Sequence, residues 1–154
     1  MIIMEKFHLI FQRLMSDEKV SKNQLYKATN IARKSITYYL DGICFPRYDN
    51  FSKIADFFEV STDYLLGLVG NDGLCYKTNC PIERIPNYFI AYLKHLMLSE
   101  NLSQNKLADL LNVEATTVSK WFNMKTMPEM PLIVKLAGIF KCRVDYLLNR
   151  DVVR

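Results

Sequence analysis

The sequence predicts an all-α fold made of two similar units. Apolar residues recur at the spacing of one helical face, as at positions 7, 10, 11 and 14, and no stretch sustains the alternation of a strand. When residues 20–67 are aligned without a gap with residues 102–149, at an offset of 82, 12 of 48 positions are identical. A chain that repeats itself at a fixed offset is expected to contain two copies of one unit.

The identical positions are spread along the whole alignment. Both copies end in the same four residues, DYLL, at 63–66 and 145–148. Other identical pairs include Ser21 and Ser103, Asn23 and Asn105, Leu25 and Leu107, Asn30 and Asn112, and Pro46 and Pro128. We therefore predict a first domain over residues 4–67, a second over residues 85–150 and a linker over residues 68–84.

Each copy is predicted to begin with two helices and a turn. An amphipathic pattern covers residues 4–15 of the first copy. The second helix follows Ser21 or Ser103, because serine is a preferred N-cap residue. Asn30 or Asn112 then falls where a left-handed turn is expected, since asparagine tolerates positive φ better than most residues.

Three further helices complete each copy. The expected ranges are about 32–40 and 114–122 for the third helix, and about 48–58 and 131–140 for the fourth. A last short helical turn follows, capped by Ser61 in the first copy, whereas its counterpart Arg143 offers no cap.

The predicted linker lies in the stretch GLVGNDGLCYKTNCPIER, which contains three of the five glycines of the chain. Roughly 18 residues reach about 60 Å when extended and about 20–25 Å as a flexible coil. Either length would let the two units act side by side.

The composition is that of a core-forming chain, because half of its 154 residues are hydrophobic and only 23% are charged. No apolar run approaches the roughly 18 residues that span a bilayer. The start, MIIMEKF, is too short an apolar stretch for a secretory signal, so we expect a cytoplasmic protein.

The net charge is +4, with ten Lys/Arg against six Asp/Glu over residues 84–154. A polyanion would be held by placed contacts rather than by a bulk field.

Neither a cofactor nor a catalytic site is predicted. The four cysteines of a cytosolic chain are expected to be free thiols. Cys75 and Cys80 are close enough to suggest a metal pair, but zinc needs four ligands and His8 and His95 stand alone. No phosphate loop, activated nucleophile or carboxylate cluster is evident, so the chain is not expected to be an enzyme or to take a small-molecule substrate.

The central pattern of each copy resembles a known DNA-binding unit. SKNQLYKATNIARKSITYYLD and SQNKLADLLNVEATTVSKWFN are similar to the helix-turn-helix of the family that includes lambda repressor and Cro. The resemblance covers about 62 residues of each copy. It implies two tandem five-helix domains whose third helices would read the major groove of double-stranded DNA, where base edges differ.

The resemblance also implies which residues contact DNA. In the first copy the groove-facing residues would be Arg33, Lys34, Thr37 and Tyr38, and the backbone contacts Lys22, Asn23 and Arg47. In the second copy they would be Ala115, Thr116, Ser119 and Lys120, and the backbone contacts Gln104, Asn105, Asn123 and Lys125. The inward residues Ile36, Tyr39, Val118 and Trp121 are interpreted as core. Arg33 and Lys34 could alternatively form a solvated charged face.

The sequence departs from the family at three places. Leu40 and Phe122 stand where the family usually carries Glu, which suggests local repacking or a buried face between copies or subunits. Met124 replaces the glycine that ends the first copy's third helix, Gly42. Tyr26 stands where the family has a small residue, which puts standard docking of the first copy in doubt.

The leading functional hypothesis is a sequence-specific transcriptional regulator, a repressor of bacterial, phage or mobile-element origin, which reads a two-part DNA site. One chain would supply both recognition helices, and further homodimerisation is possible. The alternative is a protein-interaction or antitoxin-like module, in which one or both copies bind another protein. Leu40, Phe122 and the weak charge of the first copy favour that alternative.

Overall fold

The computed structural model describes the backbone of residues 2–153 and the side chains of residues 5–153. Most of these residues are helical, which confirms the predicted helical class. The helices are α1 (Ile2–Asp17), α2 (Lys22–Thr29), α3 (Arg33–Leu40), α4 (Tyr48–Phe58), α5 (Thr62–Leu65), α6 (Ile85–Ser99), α7 (Gln104–Leu111), α8 (Ala115–Phe122), α9 (Met130–Phe140) and α10 (Val144–Leu147). The strands are β1 (Tyr76–Thr78) and β2 (Arg150–Val152), and a short 3₁₀ helix covers Ile82–Arg84.

The helices recur at the offset of the sequence repeat. We call residues 2–67, which hold α1 to α5, the first half, and residues 85–153, which hold α6 to α10 and β2, the second half. The bounds of α2, α3, α4 and α5 all become those of α7, α8, α9 and α10 when 82 is added. Backbone positions with positive φ recur in the same way, for example Asn30 at 60° and Asn112 at 57°.

Local sequence signals start and stop these helices. The Ser21 hydroxyl accepts a hydrogen bond from the Gln24 N–H, and the Gln24 side chain accepts one from the Ser21 N–H. This is a capping box, which satisfies two donors that the helix leaves free. The Ser103 hydroxyl likewise accepts from the Lys106 N–H. The left-handed Asn30 then ends α2, as predicted.

The core is built from the inward faces of these helices. Ile36 and Val118 are fully buried, and Tyr39 and Trp121 are 6% and 2% exposed, so their interpretation as core residues is confirmed. In the first half the buried Phe7 ring lies 5.3 Å from the Phe51 ring, centroid to centroid. The buried residues Ile36 and Val118 hold the inward faces of α3 and α8 against the core. The outward faces of both helices are not part of the core.

The apolar residues at the ends of α3 and α8 pack in part against the core. Both Leu40 and Phe122 are half-buried against the core. In the first half the Gln12 amide donates to the Leu40 carbonyl over 2.6 Å. At the matching place in the second half, the Lys94 Nζ lies 6.0 Å from the centre of the Phe122 ring. A residue of the first helix thus covers this position in each half, which supports the repacking interpretation.

Two strands that the sequence analysis did not predict join the segment between the halves to the end of the chain. β1 and β2 pair antiparallel, with Tyr76 opposite Val152 and Thr78 opposite Arg150. The Thr78 N–H also donates to the Asp56 carboxylate in α4 over 3.0 Å. Residues 76–78 are therefore held to both halves, and are neither an extended tether nor a coil. Each strand has three residues, too few to produce a visible alternation.

We predict that Met124→Gly stabilises the protein by about 0.5–1 kcal/mol. Met124 has φ 59° just after α8, where Gly42 has φ 72° just after α3. A non-glycine residue in the left-handed region destabilises the folded state by about 1–2 kcal/mol. Glycine removes this strain, but it also has more conformational freedom in the unfolded chain, which reduces the gain. The Met124 side chain is 46% exposed, so less burial is lost than for a core methionine. Urea unfolding measures the change.

The control is Gly42→Ala. An added Cβ at Gly42 would lie 3.3 Å from the His8 ring, at a φ that side chains rarely adopt. This variant should lose stability while Met124→Gly gains it. A Met124→Gly protein no more stable than the parent would show that the left-handed turn is not strained.

Candidate nucleic-acid interface

The outward face of α3 carries the residues that the sequence analysis assigned to the DNA groove. Arg33 and Lys34 are exposed, and Thr37 and Tyr38 are half-buried. The Lys34 Nζ lies 5.6 Å from the centre of the Tyr38 ring, so both residues share one surface. The structure therefore brings these four side chains together on the face opposite Ile36.

Arg33 is held in place by two neighbours from α2. Its Nη1 donates to the Asn23 side-chain oxygen over 2.6 Å. Its guanidinium carbon lies 4.6 Å from the centre of the Tyr26 ring. Tyr26, the residue that departs from the small side chain expected at this place, is thus a platform for Arg33.

The outward face of α8 is less charged. Ala115, Thr116 and Lys120 are exposed and Ser119 is half-buried, opposite the buried Val118. The amide of Asn123, which ends the helix, lies 3.4 Å from the Ser119 hydroxyl. Lys120 supplies the positive charge of this face.

The residues assigned to the DNA backbone lie at helix starts and in the loop after α8. Lys22 and Asn23 occupy the first turn of α2, and Gln104 and Asn105 occupy the first turn of α7. All four are exposed. Free N–H groups and the helix dipole make such a first turn favourable for an anion such as phosphate. The side chain of Lys125, in the loop after α8, is also exposed.

Arg47 occupies a different environment from the other assigned residues. It precedes α4, and its Nε lies 3.9 Å from Glu129, the residue at the matching position of the second half. Both side chains are more than half exposed, so this ion pair contributes little free energy. Its position shows that the two halves meet close to the start of α4 and α9.

The halves also meet through two buried aspartates that cap each other's helices. The Asp63 carboxylate accepts hydrogen bonds from the Val144 and Asp145 N–H groups, at the start of α10. The Asp145 carboxylate accepts from the N–H and the hydroxyl of Thr62, at the start of α5, over 2.8 and 2.7 Å. The contact between positions 63 and 144 is thus repeated between 145 and 62, as in a two-fold symmetric interface.

A buried arginine completes this junction. Arg150 is 4% exposed, and its Nη1 donates to Asp145 over 2.7 Å. Its Nη2 donates to the Asp56 carboxylate and to the Val60 carbonyl, each over 3.0 Å. One cation from the second half thereby joins acceptors of both halves in an environment where charges need such partners.

The environment of Asp63 favours its protonated form. Burial and, after it, the neighbouring Asp145 carboxylate together raise the pKa of this carboxyl to about 6. The Arg143 guanidinium lies 3.8 Å from Asp63 and partly balances the two acids. The junction thus holds a carboxyl that titrates near neutral pH.

The sequence analysis missed the junction residues. It used the DYLL ending only to mark the repeat, although an aspartate stands two residues before the same pair of leucines in both copies. That signal could have indicated Asp63 and Asp145 as buried caps. Nothing in the pattern around Arg150 marked it as buried.

Other site types find no support in the part of the chain that the structure describes. Cys75 is exposed and Cys80 half-buried, and both are free thiols. Among residues 2–153, no three His, Cys, Asp or Glu side chains converge as a metal site would require. Within the same range, every helix is too short or too polar to cross a membrane.

Comparisons with known proteins agree with this geometry. The profile of a family described as Helix-turn-helix matches residues 93–147, which run from within α6 to the end of α10. An uncharacterized HTH-type transcriptional regulator of Rickettsia conorii is 32% identical over 92 residues, which cover 54% of this chain and 84% of that protein. No solved structure matches the chain significantly.

We predict that Asp63→Asn removes part of the pH dependence of stability. The pKa of Asp63 is higher in the folded protein than the usual 3.8, so its stabilising effect is complete below pH 3.8 and is lost as the pH rises through about 6. Asparagine cannot ionise and keeps an oxygen for the N–H groups. The variant should therefore be more stable than the parent at pH 8, by up to about 3 kcal/mol.

The matched control is Asp145→Asn, which leaves the buried Arg150 without its closest carboxylate. Removing one partner of a buried ion pair costs about 3–5 kcal/mol, so this variant should be less stable across the whole range. Urea unfolding between pH 4 and pH 8 measures both changes. If the stability of Asp63→Asn depended on pH in the same way as that of the parent, a residue other than Asp63 would be the group that titrates.

Proposed function

The chain belongs to the helix-turn-helix family of transcriptional regulators, and from that premise we propose that it represses transcription by binding a two-part DNA site. It is a DNA-binding regulator and not an enzyme. In the proposal α3 and α8 are both recognition helices, which makes the chain a tandem pair of helix-turn-helix domains over residues 4–67 and 85–150, joined by residues 68–84.

The observation that carries this proposal is the reciprocal junction between the halves. Asp63 caps α10 and Asp145 caps α5, and Arg47 faces its counterpart Glu129. Most DNA-binding dimers of this fold present two recognition helices about one DNA turn apart, roughly 34 Å. A junction with two-fold symmetry lets a single chain present α3 and α8 in the same manner, so that a homodimer is not needed.

The proposed contacts divide into base and backbone contacts. Bases would be read by Arg33, Lys34, Thr37, Tyr38, Ala115, Thr116, Ser119 and Lys120. Phosphates would be bound by Lys22, Asn23, Arg47, Gln104, Asn105, Asn123 and Lys125. Arginine suits guanine, and alanine or threonine methyls suit the thymine methyl, so the two helices read unlike half-sites.

Repression follows from occupancy. A protein that fills two successive major grooves excludes other proteins, including a polymerase, from the same DNA. Because much of the affinity comes from phosphate contacts, we expect binding to fall steeply with salt concentration.

An apolar groove in the second half favours a second candidate function, the binding of another protein. The groove has a volume of about 480 Å³ and is lined by Met97, Leu98, Leu102 and Phe122 among others. Leu98 is 82% exposed, which is unusual for leucine beside a recognition helix. Retention on heparin at low salt separates the two functions, since a protein-interaction module would not be retained.

We predict that Arg33→Ala and Lys120→Ala each weaken binding to a DNA site selected from a random pool. A side chain that reads a base edge contributes about 1–3 kcal/mol of discrimination, so each loss should be about 5- to 150-fold. Arg84→Ala, an exposed substitution between the halves, is the charge-matched control and should change little. Fluorescence anisotropy measures affinity, and thermal unfolding checks the fold. Unchanged DNA affinity with both residues substituted would show that α3 and α8 are not recognition helices.

We also predict that the selected DNA contains two unlike half-sites. Substitutions on α3 should change the preferred bases of one half-site, and those on α8 the bases of the other, because the outward residues differ. Repeating the selection with Arg33→Ala and with Lys120→Ala tests this. A palindromic site, or a single half-site altered by both substitutions, would contradict the two-part proposal.

A further inference from the structure

The arrangement around Arg33 goes further than placing a positive charge on α3. The side chain is fixed from two directions by residues of a different helix, Asn23 at one nitrogen and Tyr26 against one face. A guanidinium is planar and carries five N–H donors in a rigid fork. One donor is used by Asn23, and stacking on Tyr26 uses none.

The second half lacks this arrangement. Adding 82 to the three positions gives Asn105, Ala108 and Ala115. Ala108 is buried, as a small residue between crossing helices is expected to be, and Ala115 has no polar atom to hold. The helices α7 and α8 have the same lengths as α2 and α3, and α7 has the same serine N-cap as α2 but holds Ala108 at this place, so Tyr26 is not required by the fold of α2 and α3.

We propose that Tyr26 and Asn23 are positioning residues that hold Arg33 in the orientation in which it reads guanine. The proposal rests on the proposed function, because it assigns a role within the same DNA interface. Arg33 is the first residue of α3, and the N-terminal residues of a recognition helix are those that contact base edges.

The chemistry points to guanine in particular. Guanine offers two acceptors side by side in the major groove, O6 and N7, which match the fork of an arginine. An arginine free in solution loses the freedom of four side-chain bonds when it binds. Arg33 is already restricted by Asn23 and Tyr26 in the free protein, so it loses less conformational entropy when it binds DNA. Its hydrogen bonds to a base then contribute more of their free energy to discrimination between bases.

Asn23 suits this role because it is neutral. It accepts a hydrogen bond from Arg33 without cancelling the positive charge, which stays available to the base and to the phosphates. An aspartate at the same place would form an ion pair with Arg33 and repel the DNA backbone.

The test compares Tyr26→Phe with Tyr26→Leu. Phenylalanine keeps the ring on which Arg33 stacks, whereas leucine keeps only apolar packing against the core, where Tyr26 is half-buried. The DNA is the site selected by the parent protein, and a second DNA carries 7-deazaguanine in place of the guanine that α3 reads. This base lacks the N7 acceptor and is otherwise of the same shape.

The expected result is a loss of discrimination with leucine alone. The parent and Tyr26→Phe should prefer guanine over 7-deazaguanine by a similar factor, and Tyr26→Leu should reduce that factor about two- to fivefold. The salt dependence should not change, because Tyr26 carries no charge. Asn23→Ala, an exposed substitution that removes nothing from the core, should reduce the factor as well.

Several outcomes would overturn the proposal. Equal discrimination by Tyr26→Leu and the parent would do so, and so would an equal loss for Phe and Leu, which would indicate a purely structural role. If Tyr26→Leu fails to fold, unchanged discrimination by Asn23→Ala overturns it. Failure of the parent to prefer any selected DNA over random DNA would overturn the proposed function itself, and is seen before any variant is made.

Discussion

The relative placement of α3 and α8 depends on two carboxylates that cross the junction. Asp63 and Asp145 each bind the first turn of the other half's last helix, so each half supplies the cap that the other needs. Buried carboxylates are costly unless they are hydrogen-bonded, and here the N–H groups of helix starts, together with Arg150, provide the bonds. The fit works in one relative orientation, because a hydrogen-bonded network tolerates little displacement. The positions of the outward side chains of α3 and α8 relative to one another therefore depend on this junction.

The interior of the molecule is symmetric and its outer surface is not. The bounds of the last four helices of each half and the left-handed turns agree between the halves. The outward residues differ, with a fixed arginine on α3 and a mostly neutral surface on α8. Duplicated units are expected to diverge in this way, because interior positions are constrained by packing while surface positions are constrained by what they touch.

Much of the fold was predictable because its signals are local. Ser21 and Ser103 cap the helices that follow them, and Asn30 and Asn112 adopt left-handed turns, since these tendencies belong to the residues themselves. The repacking at Phe122 and the platform at Tyr26 were visible only as departures from a family pattern. The junction was not predictable, because its bonds between the halves join residues 81 to 94 positions apart and no local pattern records which carboxylate meets which N–H. The helical spacing of Arg33, Lys34, Thr37 and Tyr38 was enough to predict that they share one face of α3, but that Asn23 holds Arg33 required the structure.

The pairing of β1 with β2 has a consequence for the order in which the molecule is made. Arg150 and its strand are synthesised 94 residues after Asp56, which the same arginine binds. At about 5–20 residues per second, Asp56 is added to the chain about 5–20 s before Arg150. During that interval Thr62 and Asp63 face water, which can satisfy them, and the apolar core of the first half can already form. The junction is therefore completed only after residue 150 has been made, and a chain stalled before Arg150 would lack the cation that binds Asp56 and Asp145.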